Sequence, residues 1–241
     1  MTDESKVWGI KLCGHDFDLQ DWRETLREPF DPAVVQQGDE FILCASEFQS
    51  CDSAPAVLDK AIALFEVLNG AMRAAKGSHP VRYCGVYELL PEGWRKSSYV
   101  FPPAAITDLR ARINVDPEVP APPPTRSNVQ AWVELSETSD HLTDALIYAG
   151  RGEWFDMYKA IECLEAFAGG GESDLRCKNW GASGDLTLMK RTANCFYRHR
   201  RGAYDPPKNP MTLDDARELL AKLIECAFAE VAASRLVSRH A

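Results

Sequence analysis

The stretch that decides how this chain is divided is DPEVPAPPP, from Asp116 to Pro124, with five prolines in nine residues. Proline lacks a backbone N–H and fixes φ, so such a segment forms neither a helix nor a central strand and favours extended geometry. The sequence therefore predicts a proline-rich linker over 116–127, between an N-terminal half (1–115) and a C-terminal half (128–241). A rigid strap lying on one fused domain is the alternative interpretation.

The half before the linker has the pattern of a sheet with one long helix. Apolar residues alternate in Lys6–Cys13, and Glu40–Ser46 is a short apolar run of the kind found in buried strands. Helical spacing of apolar residues extends from 54 to about 75. Val81–Leu90 and Trp94–Phe101 flank a short turn with a glycine, which predicts a β-hairpin. We therefore expect an α/β sheet-and-helix half.

After the linker the spacing of apolar residues becomes helical and stays so. Ser139-Asp140 is a helix start and Gly150 a helix end, and Glu153–Ala168 is amphipathic. A further helix is expected over Asp185–Arg198, and the last begins near Thr212, followed by acidic residues in its first turn. Several helices with short loops predict a C-terminal helical bundle, so the whole chain is α+β.

Cysteines, histidines and apolar runs exclude several classes of protein. The eight cysteines include no CxxC pair and the five histidines are scattered, so we expect reduced thiols, no metal site and no cofactor. No apolar run approaches the ~20 residues that cross a bilayer. The polar, acidic start of the sequence is unlike a signal peptide, which predicts a cytoplasmic protein with no membrane contact.

Charge is unevenly distributed along the chain. The formal net charge is −9, which disfavours indiscriminate binding to phosphate-rich polymers. Within residues 190–208, which we call the basic segment, the sign reverses, because Asp205 is the only acidic residue there. Its cations are Lys190, Arg191, Arg198, Arg200, Arg201 and Lys208. Arginines keep their charge and offer fixed forks of N–H donors, so the basic segment predicts a surface that binds phosphate.

The basic segment also contains His199, the side chain that exchanges protons nearest to neutral pH. On a continuous α-helix Arg191 and Arg198 lie seven residues apart, on about the same side. Asn194 and His199 fall on that side too, which makes these four the candidate catalytic residues. The remaining cations, Lys190, Arg200, Arg201 and Lys208, are the candidate nucleic-acid contacts.

Plainer interpretations apply to each of these features. A charged run at the end of a helix is commonly a solvated face, because cations there favour the helix dipole. Cys195 is either a reactive thiol beside arginines or a buried structural one. His15-Asp-Phe-Asp18 combines an imidazole with two carboxylates, which are either a metal or acid–base site or ordinary loop residues.

Several segments of the C-terminal half resemble known families. Trp154–Lys159, Arg191–Asn194, Arg198-His199 and Pro206–Met211 look like parts of an uncharacterised bacterial family of hypothetical proteins. More distantly, a bundle with an arginine- and histidine-bearing helix, over about 150–232, is similar to HEPN domains. These are metal-independent ribonucleases and RNA-binding modules of bacterial defence and toxin systems.

The HEPN resemblance implies that His199 takes a proton from an RNA 2′-hydroxyl while Arg191 or Arg198 stabilises the charged transition state. Paired sites in a homodimer would be expected. In HEPN domains four to six residues separate the arginine from the histidine, whereas seven separate Arg191 from His199. One added residue rotates a side chain by ~100° on a helix. That departure favours the alternative, a non-catalytic interaction module whose acidic α/β half binds a protein partner.

Overall fold

In a computed structural model of the chain, residues 7–90, 92–99, 125–181, 183–198 and 205–238 are described. They fall into two compact units. The sheet unit comprises Met1–Phe65 and His79–Ala131, and the helical unit comprises Glu66–Ser78 and Trp132–Ala241. Of the linker predicted over 116–127, only the last three residues belong to the described part of the chain.

The sheet unit is built on five strands in the order β2-β3-β1-β4-β5, and every neighbouring pair is antiparallel. The strands are β1 Val7–Cys13, β2 Ala33–Gln37, β3 Glu40–Cys44, β4 Arg82–Leu90 and β5 Gly93–Tyr99. An antiparallel sheet followed by helices confirms the predicted α+β class. The alternating apolar residues of β1, Trp8, Ile10 and Leu12, are buried as predicted.

The sheet is strongly curved. Strands β2 and β5 are at its opposite edges, yet the side-chain Oε1 of Gln37 accepts a hydrogen bond from the backbone N–H of Trp94 at 2.8 Å. A flat five-stranded sheet would hold its outer strands far apart, at ~4.8 Å per strand. At Gly9 an added Cβ would lie 2.5 Å from Cγ2 of Ile42, so only glycine fits where the strands crowd together.

Two helices accompany the sheet, α1 (Asp16–Thr25) and α2 (Ala54–Lys76). The long helix α2 was predicted, whereas α1 and strand β2 were not. Trp22 of α1 is fully buried, and its ring stacks on Phe65 of α2 with 5.6 Å between the ring centres. Helix α2 is divided between the two units after Phe65.

One pair of cysteines departs from the expectation of reduced thiols. Cys13 of β1 and Cys84 of β4 form a disulfide, with 5.9 Å between their Cα atoms. The two strands are neighbours in the sheet, so the thiols meet although 71 positions separate them in sequence. The prediction that all eight thiols are reduced is wrong for this pair, because sequence spacing does not reveal which strands are adjacent.

Helices make up the second unit, as predicted for a helical bundle. They include α4 Asp140–Arg151, α5 Trp154–Ala168, α6 Glu172–Cys177, α7 Ser183–Ala193 and α8 Leu213–Ser238, with a π-helical turn at Asn194–Arg198. Helix α3 (Asn128–Ser136) is divided between the units like α2, and it belongs to the helical unit from Trp132. Met157, Ile161 and Leu164 of α5 are fully buried. Trp132 of α3 stacks on Phe228 of α8 with 5.4 Å between ring centres.

Glycines set both the end and the packing of α4. Gly150 was predicted to end this helix, but the helix continues to Arg151 and ends at Gly152, which has φ of 70°. Gly150 instead lies inside α4, where an added Cβ would be 2.9 Å from the backbone nitrogen of Gly70 on α2. An added Cβ at Gly70 would be 1.8 Å from the carbonyl oxygen of Leu146. The two backbones pack directly on each other at these glycines.

None of the described helices combines the length and the apolar character needed to cross a lipid bilayer.

Candidate functional site

The basic segment begins on α7 and continues through the π turn. Helix α7 forms because Leu186 and Met189 place apolar side chains in the core of the helical unit. The α-helix ends at Ala193, and Asn194–Arg198 form the π turn. The prediction of one face with Arg191, Asn194 and Arg198 rested on an uninterrupted 3.6-residue period. That period is broken at Asn194.

Lys190 is engaged by carboxylates of its own unit. Its ammonium forms an ion pair with Glu165 of α5 and lies 3.1 Å from Oε2 of Glu172 on α6. It also lies 5.7 Å from the centre of the Tyr158 ring. The side chains of Lys190 and Glu165 are only 13% and 10% exposed. Burial alone would lower the pKa of Lys190, but the two carboxylates raise it above its ordinary value.

Arg198 is also held against α5. Its Nη2 lies 3.3 Å from Oε1 of Glu162, and its guanidinium carbon lies 4.0 Å from the centre of the Tyr158 ring. A guanidinium over an aromatic face gains cation–π attraction in addition to the ion pair. Lys190 and Arg198 therefore flank Tyr158, and both charges are compensated by glutamates of α5 or α6.

Asn194 and Cys195, the first two residues of the π turn, have buried side-chain atoms. The side-chain oxygen of Asn194 is buried and has no hydrogen-bond partner among the residues that the structure describes. Cys195 is buried, and its sulfur lies 3.3 Å from the carbonyl oxygen of Asp205. Between the two interpretations of Cys195, burial favours the structural thiol.

Two cations of the basic segment are exposed to solvent. The side chains of Arg191, in the last turn of α7, and Lys208 form no hydrogen bond or ion pair with another residue in the described part of the chain. The predicted residues His199, Arg200 and Arg201 lie outside the described residues. Of the described cations of this segment, Arg191 and Lys208 are therefore the ones open to a ligand.

Two exposed aromatic residues in the π turn escaped the sequence analysis. Phe196 is 45% exposed and Tyr197 is 55% exposed. The Tyr197 ring lies parallel to that of Trp154, with 5.0 Å between ring centres and 6° between planes. The sequence signal for them was the presence of two adjacent aromatic residues inside the basic segment. It was not used because, on an α-helix, at least one of the two would be expected to be buried.

The His15–Asp18 motif has a structural role. The imidazole Nδ1 of His15 accepts a hydrogen bond from the backbone N–H of Phe17 at 3.4 Å, at the start of α1. Asp18 is buried and its Oδ1 accepts a hydrogen bond from the backbone N–H of His79 at 2.9 Å. His15 thus caps local backbone and Asp18 binds a distant backbone segment. Across the described ranges no group of three or more His, Cys, Asp or Glu could hold a metal ion.

A polar cluster on the sheet joins Lys11 of β1, Glu40 of β3 and Tyr87 of β4. Oε1 of Glu40 lies 2.6 Å from the Lys11 ammonium and 3.0 Å from the Tyr87 hydroxyl, and both donate to it. The hydrogen bond from Lys11 lowers the pKa of Glu40 below its ordinary value. Burial, and then the bond to Glu40, raise the pKa of Tyr87 to about 12. A tyrosine that binds its proton so firmly is suited to a structural role.

An open pocket of about 540 Å³ lies between α7, residues 209–211 and α8. Its rim carries Asp185, Asp215 and Glu218 against a single cation, Lys222. This negative rim repels phosphate. The pocket is therefore unsuited to a phosphate-bearing ligand.

Comparison of the chain with known proteins gives no match to a family model, to a curated protein or to a solved structure.

Proposed function

We propose that the helical unit binds RNA through Arg191 and Lys208 of the basic segment. The observation that carries the proposal is the difference between Arg191 and its neighbours. Lys190 and Arg198 are paired with glutamates, whereas Arg191 extends into solvent without a described partner. An exposed, uncompensated guanidinium offers a fork of donors that matches phosphate.

Charge compensation beneath this surface supports the proposal. Helices α5 and α6 carry Glu162, Glu165 and Glu172 close to the basic segment. Each of these carboxylates pairs with Lys190 or Arg198, so little of their negative field reaches a phosphate at the surface. The paired cations thus assist binding indirectly, by neutralising acidic side chains that would otherwise repel RNA.

Binding is better supported than cleavage. The HEPN-like mechanism needs an arginine whose guanidinium is free to meet the phosphorus transition state. Arg198 is engaged by Glu162 and Tyr158, and Arg191 is separated from His199 by seven residues rather than the four to six of HEPN domains. We therefore place the RNA-binding activity of a defence- or toxin-type bacterial protein ahead of a ribonuclease activity.

Fluorescence anisotropy with a labelled 12-nucleotide single-stranded RNA tests the proposal. We expect Arg191→Gln and Lys208→Gln each to weaken binding about three- to fivefold, since an exposed ion pair contributes up to ~1 kcal/mol. Arg235→Gln is the control, because Arg235 is a partly exposed cation of α8 that is paired with Glu134. Equal affinity of all variants, or no binding by the unmodified protein, would contradict the proposal.

A separate incubation tests cleavage. Total RNA is mixed with the unmodified protein, His199→Ala or Arg191→Ala in the presence of a chelator. We expect the RNA to stay intact in all three reactions. Degradation by the unmodified protein that is lost in His199→Ala would instead establish the HEPN-like mechanism and the role of this histidine.

A second candidate function, protein binding by the sheet unit, is favoured by one specific pair of residues. Val7 of β1 and Leu89 of β4 are directly opposite each other, and both are exposed. Residues 1–116 also carry 18 acidic against 12 basic side chains, which suits a basic partner. A photo-crosslinking amino acid at position 7 should capture such a partner in cells, while the same amino acid at exposed position 62 should not.

Homodimerisation and a cytoplasmic location complete the proposal. Sedimentation of the full chain tests the first, since a HEPN-like pair of sites requires two copies. The Cys13–Cys84 disulfide bears on the second, because disulfides persist mainly in oxidising compartments. Eight titratable thiols in protein extracted under thiol-blocking conditions would support the cytoplasm, and six would place the chain in an oxidising compartment.

A further inference from the structure

We propose that Tyr197 and Phe196 form a stacking platform for unpaired bases, so that the ligand is single-stranded RNA rather than a duplex. This inference rests on the proposed RNA binding and adds the class of RNA and the residues that select it. It depends on ring geometry in the π turn in addition to the charge of Arg191.

One face of the Tyr197 ring is covered by a residue of the described part of the chain. This residue is Trp154, which is nearly parallel to it and is itself only 7% exposed. Since Tyr197 is 55% exposed, the accessible part of the ring is the side turned away from α5. A flat aromatic surface backed by a second buried ring is suited to stacking a planar group, because its orientation is fixed before the ligand binds.

Phe196 adds a second surface beside the first. Its ring centre lies 6.2 Å from that of Tyr197, with 58° between the planes. The two rings therefore form an open angle rather than a flat patch. A base that stacks on Tyr197 would meet Phe196 at its side, and a neighbouring base could stack on Phe196 in turn. Such pairs of rings accept any base, because every base has a π face.

The backbone that bears both rings is fixed on either side. Cys195, the preceding residue, is buried next to Asp205. Arg198, the following residue, is held by Glu162 and Tyr158 of α5. Short π-helical segments are frequent at functional sites. Here the π turn allows two consecutive aromatic side chains to remain exposed between buried or tethered neighbours.

Charge favours RNA over an apolar protein surface as the occupant. Arg191 precedes Tyr197 by six residues in the same basic segment and is exposed and unpaired among the described residues. A strand whose bases stack on the platform would be attracted by this open cation. In a duplex the bases already stack on one another and present only their edges, so the platform has nothing to bind there.

Three probes of equal length test the inference by anisotropy: a mixed-sequence single-stranded RNA, the same chain without bases, and a blunt RNA duplex. We expect the single strand to bind about tenfold more tightly than either of the others. Tyr197→Leu removes the ring but keeps an apolar side chain, and should lose this preference. Tyr197→Phe should keep it, and Leu236→Ala, at an exposed position on α8, should change nothing.

The outcomes separate this inference from the proposed function. If all three probes bind equally well and Tyr197→Leu binds like the unmodified protein, the platform is excluded while RNA binding stands. If no probe binds, both proposals are wrong. If Tyr197→Leu fails to fold by circular dichroism, the comparison of the base-free chain with the ordinary single strand, made on the unmodified protein, decides the question.

Discussion

The guanidinium of Arg198 lies over the ring of Tyr158, with 4.0 Å from its Cζ to the ring centre, and its Nη2 is 3.3 Å from Glu162. This contact ties the end of the π turn to α5. Arg198 is therefore a structural cation. The exposed arginine among the described residues of the basic segment is Arg191, in the preceding helix α7.

Arg198→Gln is expected to lower stability clearly and RNA affinity only slightly, through the uncovered charge of Glu162. The change removes both the cation–π contact and the ion pair with Glu162, together worth about 1–2 kcal/mol. Urea unfolding should report that loss, while RNA affinity at fixed salt should change less than it does in Arg191→Gln. A variant with unchanged stability and abolished RNA binding would show that Arg198 contacts the ligand directly.

Lys190→Met is expected to be the most damaging charge substitution in the helical unit. It leaves Glu165, only 10% exposed, without this cation, which costs roughly 3–5 kcal/mol for a buried pair, whereas Glu172 keeps its ion pair with Arg176. Because the pKa of Lys190 is raised in the folded protein, its stabilisation is complete below its ordinary value of 10.5 and is lost as the pH rises further. Urea unfolding of the variant measures the loss.

Arg235→Met is the control for Lys190→Met, since it breaks a partly exposed ion pair with Glu134 and should cost less than ~1 kcal/mol. Adding Glu165→Leu to Lys190→Met should recover part of the stability, because the stranded carboxylate is removed. Equal small losses for Lys190→Met and Arg235→Met would show that the Lys190 cluster is as weak as a surface pair.

Gly70→Ala should disrupt the packing of α2 on α4 within the helical unit. Its Cβ would lie 1.8 Å from the carbonyl oxygen of Leu146, a backbone atom that cannot move aside alone. We expect a loss of roughly 3 kcal/mol or more. Gly184→Ala is the control, because no atom lies within 4 Å of its added Cβ and alanine favours a helix. Thermal unfolding should show a large fall in Tm for Gly70→Ala and little change or a rise for Gly184→Ala. Equal changes in Tm for the two variants would rule out the close contact between α2 and α4.

Glu40→Gln should flatten the acid dependence of stability in the sheet unit. Lys11 holds the pKa of Glu40 below its ordinary value of 4.5 in the folded state. The stabilisation is therefore present above that value and is lost as the pH falls through the lower, folded value. Urea unfolding of the variant and of the unmodified protein, at neutral pH and at several pH values below 4.5, measures how the free energy of unfolding changes with pH. Parallel pH profiles for the variant and the unmodified protein would exclude this role for Glu40.

Elements with a strong apolar period were predictable from sequence. The alternation in β1 and the broad apolar face of α8 gave the correct type of element, and the hairpin of β4 and β5 followed from its turn. Strand β2 was missed because only its first residues are buried, and α1 because seven of its ten residues are polar. In both, neighbouring elements rather than local pattern stabilise the structure.

The candidate site was less predictable than the fold. The cations of the basic segment are visible in sequence, but their partners Glu162, Glu165 and Glu172 come from other helices. Which cation is compensated is therefore a tertiary property. The π turn has no sequence period of its own, so the exposure of Tyr197 could not be inferred either.

The salt dependence of RNA binding tests the central claim most directly. If Arg191 contacts a phosphate, its replacement by glutamine should reduce the slope of log K against log salt concentration by about 0.7, the value for one contact with a single strand. Arg198→Gln, whose charge is already compensated within the protein, should leave that slope unchanged. A slope that Arg191→Gln does not alter, or one near zero for the unmodified protein, would contradict the account.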